Sequence, residues 1–154
     1  KDYLARNAHP VIFNGRDVDV ARMVAMAHNM QPDRIPPAVH FEVQEEDFSS
    51  ADPPEKLFTT PGAIARRLRG PGQKRSMTVS AADSVDANNR TLRWRWVLLR
   101  GEAEATQIQP LDADGKQARL TFASQPGRAD IAVFAHNGAY WSAPAVVSCT
   151  FHAE

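Results

Sequence analysis

Tyr140-Trp141 is the pair of side chains best placed in this sequence to meet a ligand. It follows His136-Asn137-Gly138, a turn signal, so the two rings fall at or just after a hairpin tip. A scaffold holds such tips rigidly while leaving them in solvent. An exposed indole there can stack on a sugar ring or plug into a partner, and the same ring can instead fold back over an apolar edge. Asp83 and Asp86 offer the hard oxygen ligands that calcium takes. Ordinary capping of a turn by aspartate uses the same residues. Weak calcium binding at this pair is the one cofactor the sequence suggests.

The other chemistry-bearing residues do not assemble into a catalytic pattern. His9, His28, His40, His136 and His152 show neither an i, i+4 pair nor a His-x-His, whereas a zinc site needs three or four convergent ligands. Cys149 is the single cysteine, which excludes an internal disulfide and the Cys-x-x-Cys zinc patterns. It alternates with its neighbours between Val146 and Phe151 and reads as a buried structural thiol, with no adjacent cation to activate it. Glu45, Glu46 and Asp47 are consecutive, which suits a solvated loop better than two acids facing one bond. Gly-x-Ser-x-Gly elbows and Gly-rich phosphate loops are absent. No catalytic residue is therefore expected. An enzyme would require some of His9, His28, Asp17 and Asp19 to meet in a cleft beside the N-terminal segment.

Eighteen basic residues balance eighteen acidic ones, so no long-range field draws in nucleic acid or an anionic membrane. No apolar run approaches the length of a membrane-spanning helix, and no membrane insertion is expected. The chain begins with Lys1, which reads as a fragment of a longer protein.

The elements that must position these residues come in two styles. His9-Pro10-Val11-Ile12-Phe13-Asn14-Gly15 predicts a short strand closed by an Asn-Gly turn. A helix follows, capped by Asp17 or Asp19, with Val20, Met23, Val24, Ala27 and Met30 on one face, and Pro32, Pro36 and Pro37 stop it. Residues 38–44 alternate through Val39, Phe41 and Val43 and predict a half-buried strand, and 45–54 predicts a loop. A second helix is expected at about 60–70. Thr60 would cap it, Pro61 would take its first position, Gly70 would end it, and Ile64 and Leu68 would share a face.

From Met77 the period becomes two. Met77, Val79 and Ala81 alternate, as do Leu92, Trp94, Trp96 and Leu98, then Ala118, Leu120 and Phe122, then Ala129, Ile131, Val133 and Ala135. Trp94 and Trp96 then face a core, while Arg93 and Arg95 project from the opposite side, where with Arg100 they make either an ordinary solvated sheet face or a basic stripe. Turn clusters separate these runs at Asp86-Ala87-Asn88-Asn89, Asp112-Ala113-Asp114-Gly115, Gln125-Pro126-Gly127 and His136-Asn137-Gly138. Eleven prolines and eight glycines punctuate the chain in the same sense. Short strands divided by regular turns predict a β-sandwich or barrel.

The stretch from Met77 through Ser84-Val85-Asp86 to Trp94-Arg95-Trp96 resembles the opening of PKD-type and related immunoglobulin-like modules. There a strand runs into a Ser-Asp-x-Asp-Gly turn and then an aromatic-x-Trp strand. Gly127 to Gly138 resembles the family's later strand and turn. Asn88-Asn89 replaces the acidic-Gly turn, Ala129 stands where tyrosine is common, and Asn137 replaces aspartate. The resemblance covers about 76–151. It implies a mainly β, immunoglobulin- or PKD-like antiparallel sandwich with a small N-terminal α-containing appendage and the short inserted helix. By the same resemblance the chain would be a non-catalytic accessory module, a spacer, stabiliser or interaction domain, of a larger secreted, periplasmic or surface bacterial protein.

The expected organisation is thus a strand-helix segment at 1–35, the tail of an upstream domain of the same polypeptide, and a sandwich at 36–154. Two rival functions follow. In one, a carbohydrate-binding module holds polysaccharide on Tyr140 and Trp141. In the other, the chain is the C-terminal part of a hydrolase whose catalytic residues lie upstream.

Overall fold

The computed structural model describes residues 19–47, 54–69, 74–123 and 127–152, and divides the chain into one unit ending at Arg34 and another starting at Ile35. The strand expected at His9–Gly15 lies outside the described residues. In the first unit, helix α1 runs Val20–His28. Of the two candidate caps, Asp19 does the capping: its carboxylate accepts the Arg22 N–H at 2.9 Å, satisfying a first-turn donor. The expected apolar face is present and uncovered within this unit, with Val20, Met23, Val24 and Met30 all exposed. A 3-10 turn at Pro32–Arg34 follows.

Among the described residues the second unit contains nine strands: β1 Glu42–Asp47, β2 Glu55–Thr60, β3 Ala63–Arg69, β4 Arg75–Ser80, β5 Arg93–Arg100, β6 Thr106–Pro110, β7 Gln117–Phe122, β8 Gly127–His136 and β9 Ala145–His152. One sheet has the order β1-β4-β7-β6 and the other β2-β3-β9-β8-β5. All pairings are antiparallel except β3 with β9, which are parallel. The inner faces meet through Met77 and Val79 of β4, Leu120 and Phe122 of β7, Ile131 and Val133 of β8, and Val147 and Cys149 of β9. Fully burying such a side chain contributes roughly 1.5–3 kcal/mol, which is why the period-two stretches hold their faces.

Strand β5 keeps the expected face, with Leu92, Trp94, Trp96 and Leu98 packed on the core. It is an edge strand, so the indoles are only half-buried. Each indole N–H still finds an acceptor: Trp94 Nε1 donates to Ser84 Oγ at 3.1 Å and Trp96 Nε1 to the Gly115 carbonyl at 2.7 Å.

Two expectations are corrected. The helix expected at 60–70 is a β-hairpin. Pro61-Gly62 form the turn between β2 and β3, and Thr60 Oγ1 both accepts from the Ala63 N–H and donates to its carbonyl, each at 3.0 Å. The reason is a period of two: Ile64, Arg66 and Leu68 all point inward and are all buried. The acidic stretch Glu45–Asp47 is not a loop either. It belongs to β1, which begins at Glu42 and shifts register between Val43 and Glu45. Val39 and Phe41 are buried as expected but precede the strand, and Ala38 forms an isolated bridge with Val85.

Cys149 is fully enclosed, and burial pushes its thiol up to about 12 from an ordinary value near 9.0. A folded value above the unfolded one stabilises the native state below the unfolded value and is lost as pH rises between the two. Stability is therefore expected to fall above pH 9 by about 1.4 kcal/mol per pH unit from this group. Urea unfolding of Cys149→Ala should lack this decline; equal slopes in the two proteins would refute it.

Candidate functional site

Three loops converge at one end of the sandwich: residues 81–92 between β4 and β5, 111–116 between β6 and β7, and 137–144 between β8 and β9. The Ala81 N–H donates to the Lys116 carbonyl at 2.7 Å, and Trp96 reaches Gly115 as described. The link between the first and third loops is a side-chain pair. Asn137, buried, donates from Nδ2 to Asp86 Oδ1 at 2.6 Å, and its own Oδ1 accepts the N–H groups of Ala139 and Tyr140. Asp86 Oδ2 accepts the N–H groups of Asn88 at 3.1 Å and Arg90 at 2.9 Å.

Asp86 is thus committed to N–H donors, and Asp83 is exposed beside it. Among the described residues no three His, Cys, Asp or Glu side chains gather to hold a metal ion. The Asn137 amide, followed by the Arg90 N–H, holds the Asp86 carboxyl below its ordinary value near 3.8. A depressed carboxylate stabilises the fold above its unfolded value, and that contribution disappears as pH falls toward the lower native value. Asp86→Asn should therefore be less stable than wild type at pH 7, and the gap should narrow as pH falls below the ordinary carboxylate value. A gap between their urea midpoints that is constant from pH 2 to 7 would refute this.

Trp141 is 49% exposed. It forms an isolated bridge with His136, whose ring lies 4.5 Å from the indole at 42°, and Phe134 meets it edge-on at 6.5 Å and 88°. The His136 ring is fixed in turn, its Nδ1 accepting the Gly138 N–H at 3.2 Å. Trp141 is therefore exposed and held. With Arg95, Val97, Phe134 and Ser142 it lines a hollow of about 230 Å³ on the outer face of the five-stranded sheet. Tyr140 is half-buried and does not line this hollow; its N–H serves the Asn137 turn. Of the two expected binding residues, only Trp141 reaches the site.

Register explains the company Trp141 keeps. Arg93 lies opposite His136 and Arg95 opposite Phe134, so these four share the outer face of the sheet. The Arg93 and Arg95 side chains are exposed and have no hydrogen bond or ion pair among the described residues. The third member of the expected stripe behaves differently. Arg100 lies 3.9 Å from Asp130, which Arg128 also meets at 2.7 Å. Burial alone would raise the Asp130 carboxyl, but the Ser148 hydroxyl and Arg128 hold it below its ordinary value. Of the rival enzymatic set, Asp19 caps α1 and His28 stands exposed in its last turn, while His9 and Asp17 lie outside the described residues.

The strand order defines the class of protein. Strands β1, β4, β7 and β6 form one sheet and β5, β8 and β9 the core of the other, as A, B, E, D and C, F, G do in an immunoglobulin-like sandwich. The β2–β3 hairpin is added on the β9 side. No family model matches the chain, and no curated protein does. Among solved structures it is similar to a nucleoside hydrolase-related hypothetical protein from Saccharophagus degradans that is associated with carbohydrate metabolism, with TM-score 0.47 and 10% identity over 75% of this chain and 26% of that one. The chain thus spans about a quarter of that protein. It is also similar to the Dscam1 Ig7 domain, isoform 5, with TM-score 0.37 and 13% identity over 76% of this chain and 99% of that one.

Proposed function

We propose that this sandwich is a non-catalytic accessory module of a larger extracytoplasmic protein and that it contacts polysaccharide through the Trp141 hollow. The carrying observation is an indole half in solvent yet fixed by Phe134 and His136. A ring held in place loses little freedom on binding, so its stacking energy goes largely into affinity. Support for a non-catalytic role comes from how the acidic groups and the thiol are used: Asp86 orders loops, Asp130 neutralises two arginines, and Cys149 is enclosed. PKD type and an extracytoplasmic setting rest on the turn and tryptophan strand from Ser84 to Trp96. The exposed Val20, Met23 and Val24 face of α1 suits contact with an upstream domain of the same polypeptide.

Affinity electrophoresis of the full chain through gels containing neutral or acidic polysaccharides tests this reading. Retardation by at least one polysaccharide is expected, with about tenfold or greater weakening in Trp141→Ala and an unchanged thermal melt. Free migration through every gel, or retardation that Trp141→Ala leaves intact, would overturn it.

A further inference from the structure

Resting on that reading, we propose that the hollow selects a saccharide unit bearing a carboxylate, its ring on Trp141 and its acid group on Arg95 with Arg93 alongside. The argument starts from charge. Arg100 and Arg128 converge on Asp130, and Arg67 meets Glu55 at 3.0 Å. Arg93 and Arg95 have no such partner among the described residues, and they stand two residues apart on the face that carries Phe134 and His136. In a chain with no net charge, this is a local excess of two cations beside an aromatic surface. A planar guanidinium takes a carboxylate through two parallel hydrogen bonds, a geometry matched to acid groups rather than to hydroxyls.

The hollow supplies a further polar group. Ser142 is buried at its wall, and its oxygen accepts the Ala135 N–H at 2.9 Å. Its own proton has no acceptor among the described residues and is available to a ring or hydroxyl oxygen of the ligand. Size narrows the choice as well. At about 230 Å³ the hollow is smaller than the roughly 300–1,000 Å³ of drug-sized sites, which fits one ring rather than an enclosed chain. A single-stranded nucleic acid would need a cationic track with successive stacking positions. Beyond Arg95 the face continues instead through Val97 and Leu99 to the ion-paired Arg100.

The test uses the full chain with oligogalacturonate, its fully methyl-esterified form, and oligothymidylate, followed by titration calorimetry. The acid form is expected to bind about tenfold tighter than the ester at low salt, with the preference shrinking as salt screens the exposed pair. Arg93→Gln/Arg95→Gln should abolish that preference and keep ester binding, whereas Trp141→Ala should weaken both. Equal binding of acid and ester through Trp141 would sink the acidic specificity and leave the glycan reading standing. Binding of neither would sink the acidic specificity, and the gels would still decide the glycan reading. A preference that survives the double arginine variant, or tighter binding of oligothymidylate through the same residues, would also overturn the proposal.

Discussion

Replacing Arg66 with methionine is expected to lower the unfolding free energy by about 3–5 kcal/mol. The residue is 2% exposed and projects from β3 between the two sheets. Its Nε donates to Glu46 Oε1 at 2.7 Å, a second nitrogen lies 2.6 Å from the same oxygen, and Nη1 donates to the carbonyls of Phe58 and Ala65, each at 3.0 Å. Glu46 belongs to β1 in the other sheet, so one guanidinium ties the layers together. Removing it strands a largely buried carboxylate and two carbonyls, and that unpaired polarity carries most of the loss. Lys56, 3.1 Å from Glu46 but mostly in solvent, is placed to recover only a small part. The double variant Arg66→Met/Glu46→Leu removes both charges and should regain much of the stability, because a well-packed apolar pair often equals a buried ion pair. Urea unfolding of the two variants decides it. A single variant within about 1 kcal/mol of wild type would show that the network does not hold the sheets.

The same residue explains why this part of the fold was illegible locally. Ile64 and Leu68 are four apart, a spacing that a helix and a strand both place on one face. Residue 66 decides between the periods, and an arginine there reads as a solvent position. Its burial depends on Glu46, twenty residues earlier, in a stretch whose charge reads as a loop. Pro61-Gly62 served a turn as readily as a helix start. By contrast β7 and β8 were legible because the side chains they turn inward are all apolar, and β4 was legible through Met77 and Val79 with Ala81 just beyond it.

The candidate site divides along the same line. A ring beside a hairpin tip is a local signal, and it led to Trp141. Phe134 and Arg95 become its neighbours only through the β5–β8 register, which no local pattern specifies. Asp86 was recognisable as a turn residue, but its role in joining two loops depends on Asn137, 51 positions away. Sequence reading thus located the exposed group and missed the residues that hold it still.

Gly115→Ala is expected to destabilise the protein by about 2–5 kcal/mol, the sum of a left-handed backbone cost of roughly 1–2 and an overpacking cost of roughly 1–3. Gly115 is buried with φ +74°, and a Cβ there would lie 2.8 Å from the Trp94 carbonyl oxygen. That oxygen is backbone in β5 and cannot swing aside. Any retreat would disturb the bonds from Trp96 Nε1 to the Gly115 carbonyl and from the Trp94 N–H to the Asp114 carbonyl at 2.8 Å. Gly138 is the natural control, with φ +89° and no atom within 4 Å of the place a Cβ would take. Alanine there meets only the backbone cost of about 1–2 kcal/mol. Asparagine tolerates left-handed backbone better than other non-glycine residues, so Gly138→Asn should be milder than Gly138→Ala. Gly115→Asn should gain nothing over Gly115→Ala, because its Cβ meets the same carbonyl. Unfolding midpoints of the four variants test the steric part directly: if asparagine relieves position 115 as fully as position 138, backbone strain alone governs the turn, and the β6–β7 loop does not fix the tryptophan strand by close contact.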